Sequence, residues 1–361
     1  MFTTSFVSPA QGFALGGTCS ETTGACRAQV IATTDGGVRW HSVGTLKVLV
    51  SSGPPTCGTG AGANTASVSE ITFANQSDGW AWGPKLYFTR DGAEKWHVAK
   101  LAGSVQALTV VGSQVWAVVT ECNDSRVRTN QSLELMKSPV RGGAWSQVAG
   151  LPAISASSAS LVATTSLQAW LEVTGLSMSG DGTVATLFAT SDGGATWSAL
   201  EDPCVPAPGG KAPPFAAIGE SVWIACGGED GAGSESKTIY TSFDGGRNWS
   251  VAGSSGQLGA SPGPTPAAIP LGGYILQLTL TSPSVGWMAL SLGGLLVSRD
   301  SGQTWSAAIP AGAVAGGSGV LVVTFATPNN GWALANSGGV DPNVIYRTVD
   351  GGRDWAPFPI K

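Results

Sequence analysis

One octet, repeated along the chain, limits the fold more than any other feature. It appears as TTDGGVRW (Thr33 to Trp40), TRDGAEKW (Thr89 to Trp96), TSDGGATW (Thr190 to Trp197), SFDGGRNW (Ser242 to Trp249), SRDSGQTW (Ser298 to Trp305) and TVDGGRDW (Thr348 to Trp355). The shared pattern is Ser/Thr-x-Asp-x-Gly-x-x-Trp, with Ala93 replacing the glycine once. A seventh copy, SPVRGGAW (Ser138 to Trp145), keeps Ser138, Gly142 and Trp145 but carries Val140 in place of the aspartate. The closing tryptophans stand at 40, 96, 145, 197, 249, 305 and 355, so the intervals are 56, 49, 52, 52, 56 and 50 residues. A supersecondary element of that length cannot bury both its faces alone, and its repetition marks stacked or radial architecture.

A second register lies upstream of each octet, where an aromatic follows a tight turn, as in SDGWAWG, SVGWMAL and NNGWALA. The aligned residues are Phe13, Trp80, Trp116, Trp170, Trp223, Trp287 and Trp332, so thirteen of the 14 tryptophans fall in the two registers and only Trp82 does not. Period-two alternation and turn punctuation divide each repeat into four short strands. In the last repeat these are GVLVVTFA, GWALAN, NVIYRT and WAPFPI. The octet is then the turn between strands C and D, with the aspartate accepting turn N–H groups, the glycines taking positive φ and the tryptophan covering the hairpin. Apolar residues two before each octet (Ile31, Tyr87, Met136, Phe188, Tyr240, Leu296 and Tyr346) set the register of strand C. These features predict an all-β chain, a seven-bladed β-propeller with four antiparallel strands per blade, forming one domain over residues 1–361. No strand is borrowed between the first and last repeats, so the ring is expected to close by side-chain packing.

Composition agrees and removes whole classes of partner. With 52 Gly, 21 Pro and 42% hydrophobic residues the chain is too apolar for disorder and too rich in turns for a helical protein. A net charge of −5 from only 18 Lys and Arg leaves no basic surface suited to nucleic acid or anionic lipid. No segment approaches the roughly 20 apolar residues of a membrane span. Residues Met1 to Ala14 have neither the basic start nor the long apolar stretch of a signal peptide.

The octet resembles the Asp-box, or bacterial neuraminidase repeat. Its pairing with a Gly-Trp strand is similar to the seven-bladed photosystem II stability/assembly factor family, over the whole chain. The resemblance implies the propeller fold and a binding or assembly role. Asp-box propellers also occur in sialidases, xyloglucanases and sortilin-type receptors, so the motif by itself implies no one activity. Sialidases of this kind have an arginine triad, a Tyr/Glu pair and an Arg-Ile-Pro tripeptide, and that tripeptide is absent here. The assembly factors are associated with a basic patch. Of the ten arginines in this chain, Arg39, Arg90, Arg247, Arg299 and Arg353 lie in intact octets and Arg141 in the decayed one.

The short, copied A–B and C–D turns emerge at one end of every blade, and irregular sequence gathers at the other. It comprises 18–27, 44–67, 121–132, 200–214, 227–237 and 253–270, and function on a rigid scaffold concentrates in such loops. All six cysteines fall in or beside them, and none has C-x-x-C spacing. The even count favours disulfides. The expected pairs are Cys19–Cys26, Cys204–Cys226 and, as remainder, Cys57–Cys122, which places the protein outside the cytoplasm with its export signal outside this sequence.

Candidate chemistry is confined to this loop face. His41 and His97 each follow an octet tryptophan in strand D, on the outer rim, and are expected to be solvated, so no metal site and no cofactor is expected. Glu172 occupies a strand-B position that is Leu15, Trp82, Val118, Ala225, Ala289 and Leu334 in the other repeats, which requires a partner or a shifted pKa. Glu70, in an innermost strand, is expected to face a central channel near Gln277. With Glu121 these two are the catalytic candidates. Asp124, Arg126 and Arg128 beside Cys122, Asp202, and Tyr274 with its ring available for stacking are the ligand-binding candidates. The favoured function is a secreted, monomeric, non-catalytic binding or assembly module that meets a protein or glycan on its disulfide-braced loop face. The alternative is a polysaccharide-active hydrolase or lyase, which needs two carboxyls about 5–10 Å apart.

Overall fold

The structure is a computed structural model that describes residues 3–20, 26–50, 67–120, 131–142, 144–152, 154–156, 158–176, 183–204, 213–256, 268–310, 319–335 and 344–359. Every described element is a strand or a turn, and no helix long and apolar enough to cross a membrane is present among these residues. The strands form seven antiparallel sheets, the blades of a seven-bladed β-propeller.

The first sheet runs β1 (Thr3–Phe6), β2 (Gly12–Cys19), β3 (Cys26–Thr33) and β4 (His41–Val50), with β5 (Ser67–Val68) added parallel to β4. The second contains β6 (Glu70–Phe73), β7 (Gly79–Trp82), β8 (Leu86–Thr89) and β9 (His97–Val98). The third contains β10 (Ser104–Val111), β11 (Gln114–Thr120), β12 (Gln131–Pro139) and β13 (Ser146–Gln147), with β14 (Ile154–Ala156) also paired to β12. The fourth contains β15 (Ser158–Ala163), β16 (Ala169–Leu176), β17 (Thr183–Thr190) and β18 (Ser198–Leu200). The fifth contains β19 (Phe215–Ile218), β20 (Ser221–Gly231), β21 (Ser234–Ser242) and β22 (Ser250–Ser254). The sixth contains β23 (Tyr274–Ser282), β24 (Val285–Ser291), β25 (Leu295–Ser298) and β26 (Ser306–Ile309), and the seventh β27 (Val320–Thr327), β28 (Asn330–Ala335), β29 (Val344–Thr348) and β30 (Ala356–Pro359). Among the described residues each sheet draws its four consecutive strands from its own repeat.

Two expected loops are partly strand. Strand β4 continues to Val50, and the fifth sheet extends through β20 and β21 to a two-residue turn at Ala232 and Gly233, both at positive φ. Positive φ at both central residues gives the turn the twist of its flanking strands, which permits the hairpin to grow where irregular chain was expected.

By contacts the chain forms two compact units, Met1–Val184 with Phe188–Ser198, and Ala185–Leu187 with Ala199–Lys361. In the first, three apolar layers are built from successive sheets. Phe13 and Leu15 meet Ile71, Phe73 and Ala81; Trp80 and Trp82 meet Val115, Ala117 and Val119; Trp116 and Val118 meet Leu161, Leu171 and Val173. The second has two such layers, Trp223 and Ala225 with Leu278, Met288 and Leu290, and Trp287 and Ala289 with Val323, Ala333 and Ala335. Strand-B aromatics are sealed in these layers, with Trp116, Trp223 and Trp287 all 0% exposed.

The two tryptophan registers are halves of one contact. Trp197 meets Trp116 edge to face at 6.3 Å, Trp305 meets Trp223 at 6.3 Å and Trp355 meets Trp287 at 5.6 Å. An octet indole therefore packs on the strand-B indole of the preceding sheet, in the geometry that aromatic quadrupoles favour. Covering its own hairpin is the lesser part of its role, although Trp40 and Trp305 still donate their ring N–H to Gly37 O and Gly302 O.

Candidate functional site

Within a four-stranded antiparallel sheet, A–B and C–D turns share one end and the B–C and D–A connections the other. The turn end bonds to itself. In all six intact octets the first-position hydroxyl donates to Asp Oδ1 at 2.7 to 2.9 Å, as from Thr33 to Asp35 and from Thr348 to Asp350. The same hydroxyl accepts the N–H of the fifth residue at 2.8 to 3.0 Å. Asp Oδ1 in turn accepts the N–H of the seventh at 2.9 to 3.1 Å. The fourth residue's N–H crosses to a carbonyl of the A–B turn, as from Gly351 to Asn329 and from Gly193 to Leu167.

These bonds favour the ionised carboxylate, and Asp35, Asp91, Asp192, Asp244, Asp300 and Asp350 are all held below the usual carboxylate value. Asp192, bonded by the Thr196 hydroxyl and N–H and by Thr190, falls to about 2. For Asp91 and Asp300 burial opposes the shift and the hydrogen bonds outweigh it. The decayed copy differs: among the described residues Ser138 Oγ donates to Pro139 O at 3.4 Å, and Gly142 N–H goes to the same carbonyl at 3.1 Å.

A cleft of about 500 Å³ opens beside that copy, lined by Gln114, Lys137, Gln147, Asp192 and Gly193 among others. Its charged groups are already engaged. Lys137 Nζ donates to Gly193 O at 2.9 Å and lies 4.3 Å from the Trp116 ring centroid, while Asp192 is bonded by the two threonines.

The loop end differs. Two of the three expected disulfides are present, Cys19–Cys26 closing the β2–β3 hairpin and Cys204–Cys226 tying the segment after β18 to β20. Cys57 and Cys122 lie outside the described residues, as do Glu121, Asp124, Arg126 and Arg128. Asp202 is half-buried, and its Oδ1 accepts the Cys204 N–H at 2.8 Å, which fixes the bridge segment. Tyr274 opens β23 at this end, half-buried, opposite Ser291.

The two remaining carboxylate candidates occupy opposite environments. Glu172 lies in β16 opposite Ser160 and is 0% exposed, so it touches no solvent-borne ligand in this conformation. Glu70 begins β6 and is exposed, yet desolvation raises its carboxyl to about 7 against an opposing hydrogen bond from Thr3. Exposure together with desolvation describes a side chain recessed among protein walls and still reached by water. Gln277, expected near it, uses its Oε1 to accept the Val323 N–H at 2.7 Å and so binds the inner strands of sheets six and seven together. Ser5 does the same for sheets one and two, accepting the Phe73 N–H at 2.9 Å.

His41 and His97 are exposed in strand D, and no group of three metal-ligating side chains occurs among the described residues. Lys237 escaped the sequence reading. It is 1% exposed in β21 and its Nζ donates to Glu235 O at 3.0 Å, Leu271 O at 2.6 Å and Gly272 O at 3.4 Å, with burial lowering its pKa to about 8. Its one available signal was a lysine in strand alternation with Ile239 and Thr241, the pattern of an inward-facing position.

No protein-family profile and no curated protein matches this sequence. Solved structures do. YCF48 bound to D1 peptide is 18% identical, with 81% of each chain covered and a TM-score of 0.51. The likeness is one of fold. The β-propeller domain of the trilobed protease from Pyrococcus furiosus, of open velcro topology, gives 0.56 at 6% identity over 98% of this chain and 96% of that one. Acylaminoacyl peptidase from Pyrococcus horikoshii gives 0.59 at 8% identity over 99% of this chain and 52% of its own.

Proposed function

We propose that this chain is a non-catalytic binding or assembly module, one monomeric domain acting outside the cytoplasm, that receives a polypeptide at the loop end of its blades. The observation that carries this reading is the division of labour between the two ends. Copied octets spend their polar groups on one another, whereas both described disulfides brace the uncopied end. Bridged loops form a rigid surface that loses little entropy on binding, and such bridges persist in oxidising compartments. YCF48, which this chain resembles in fold, was solved bound to a D1 peptide, which supports a polypeptide as the class of partner. A glycosidase needs a carboxyl pair across a cleft. Of the three candidate carboxylates described, Glu172 is sealed, Asp202 holds the Cys204 N–H, and Glu70 alone is exposed.

The test sets peptide arrays against a polysaccharide-hydrolysis panel, using the full chain. Peptide binding should survive Lys137→Ala at the turn end and weaken at least tenfold when Cys204 and Cys226 are both replaced by alanine. Turnover of any polysaccharide that disappears in Glu70→Gln without a change in melting would overturn the proposal. Sedimentation should show a monomer.

A further inference from the structure

Four described non-glycine residues have positive φ, and only one of them is bulky. Ala93 and Ser301 stand at octet positions that are glycine in other copies, and Ala232 belongs to the two-residue turn between β20 and β21. The fourth is Leu292, at φ +53° in the short connection between β24 and β25. A left-handed backbone is an outlier for a bulky side chain, and glycine or asparagine would adopt it at lower cost. Neighbours on two sides fix the turn. Ser291 bridges to Gly319 just ahead of β27, and a Cβ added to Gly319 would run into Leu290 O and Leu292 N. From sheet five, Gly233 O accepts the Gly273 N–H at 2.9 Å, and a Cβ added to Gly273 would run into Ser291 O. Surroundings that over-determine a strained conformation are what let it persist, and such residues cluster where ligands are held.

The strain gains no burial, because Leu292 is 53% exposed. Of the eight large apolar side chains exposed among the described residues, only Leu276 and Leu292 lie toward the loop end; the others stand in the A–B and C–D turns or in outer strands D. Both belong to sheet six. A β-bulge leaves Leu276 without an opposite residue in β24, and Tyr274, two residues before it, is paired with Ser291. A Cβ built on Gly233 would lie 3.5 Å from Leu292 Cδ1, so the leucine stands beside the tip of the β20–β21 hairpin. In sequence that hairpin has Glu229, Asp230 and Glu235 against one base, Lys237, whose ammonium is spent on three carbonyls. We infer that Leu292, with Tyr274 opposite the residue before it, is an apolar anchor for the bound polypeptide, and that the segment it takes carries a bulky apolar side chain flanked by lysine or arginine. The inference rests on the polypeptide-binding reading and gives it a chemical preference. A side chain already fixed in place loses little freedom on binding, so its apolar contact is retained as affinity. Opposite charge beside it speeds encounter and sets the register of the segment.

The probe is an array of peptides with leucine, phenylalanine or serine at one central position and either lysine or glutamate on both sides, read with the full chain. Leucine or phenylalanine between lysines should bind, and serine at the centre or glutamate on the flanks should weaken binding about tenfold. Leu292→Asn should weaken the best peptide about tenfold and melt no lower than the parent, because asparagine tolerates the left-handed backbone. Leu292→Met returns an apolar side chain to the same turn and should bind within about twofold of the parent. If Leu292→Asn binds as the parent does, or if serine-centred or glutamate-flanked peptides bind as well as the others, the anchor fails and the module reading survives. A lower melting temperature in Leu292→Asn would assign the leucine to the fold and overturn the anchor as well. A parent that sediments as a dimer and becomes monomeric in Leu292→Asn would give the leucine to a second copy of this chain instead. Failure of every peptide to bind the parent would remove the module reading, and the anchor with it.

Discussion

Replacing Thr348 with valine should cost about 1–3 kcal/mol, and the structure says where the cost arises. The Thr348 side chain is 1% exposed, and its Oγ1 accepts the buried Gly352 N–H at 2.8 Å while donating to Asp350 Oδ1 at 2.8 Å. Valine preserves the shape and removes the oxygen. The Gly352 amide then has no acceptor and no water, and an unsatisfied buried donor carries a penalty of about 1–3 kcal/mol. Asp350 loses a bond as well, but its carboxylate is open to water and keeps the Arg353 and Asp354 amides. Thr348→Ser retains the oxygen and should lose no more than the burial of one methyl, about 0.8 kcal/mol. The decayed octet supplies the control. Among the described residues no turn amide donates to Ser138 Oγ, whose one bond is a long one to Pro139 O, so Ser138→Ala should cost less than Thr348→Val, about 1 kcal/mol or under. Urea unfolding followed by tryptophan fluorescence measures all three, provided the slope m is unchanged. The reasoning is refuted if Thr348→Val falls within about 0.5 kcal/mol of the parent, or if Ser138→Ala costs as much.

Gly352→Ala should lower stability by more than about 2 kcal/mol, because the residue has φ +73° and an added Cβ would run into the Trp287 ring; Gly112→Ala, at φ +57° with open space around it, should cost about 1 kcal/mol, and thermal melting separates the two. Removing the Cys204–Cys226 bridge, which spans a sequence separation of 22, should cost about 3 kcal/mol, more than loss of Cys19–Cys26 at a separation of 7, as denaturation of the paired alanine variants would show. The octet aspartates have folded pKa values below their unfolded ones. Their stabilisation is complete above about pH 4 and disappears as pH falls through the folded values, near 2 for Asp192, so Asp192→Asn should flatten the acid limb of a melting-temperature profile. Glu70 has the opposite sign. Its folded value of about 7 lies above the unfolded one, so stability falls as pH rises from about 4.5 to 7, and Glu70→Gln should melt with the parent at pH 4 and above it at pH 8.

The blade count and strand positions were legible because octet spacing and strand alternation are local in the chain. In the last repeat the four expected strands correspond to Val320–Thr327, Asn330–Ala335, Val344–Thr348 and Ala356–Pro359. The octet aspartate's turn bonds and the positive φ of Gly36 and Gly37 were legible for the same reason. What escaped depends on neighbours distant in sequence. The Trp116–Trp197 contact joins residues of different repeats, and Gln277 meets the Val323 amide 46 positions away. The Ser/Thr hydroxyl was visible as a constant letter, but its double role needs the folded turn. At the candidate site, alignment of the repeats marked Glu172 as an anomaly and placed Glu70 on an inner strand, yet neither accessibility nor desolvation can be read from a string of residues. The opposition of Glu70 and Trp82 follows from register, which the length of the β6–β7 turn sets.

The edge-to-face indole pairs give assembly of the molecule a direction. During synthesis Trp116 waits for Trp197, Trp223 for Trp305 and Trp287 for Trp355, so in each of these pairs an earlier blade is completed by a ring that leaves the ribosome later. Trimming from the carboxyl side uncaps a finished wall, because loss of Trp355 bares Trp287, whereas trimming from the amino side takes away the wall and leaves the cap. Damage at the last-made end should therefore be felt first in the wall that Trp355 caps.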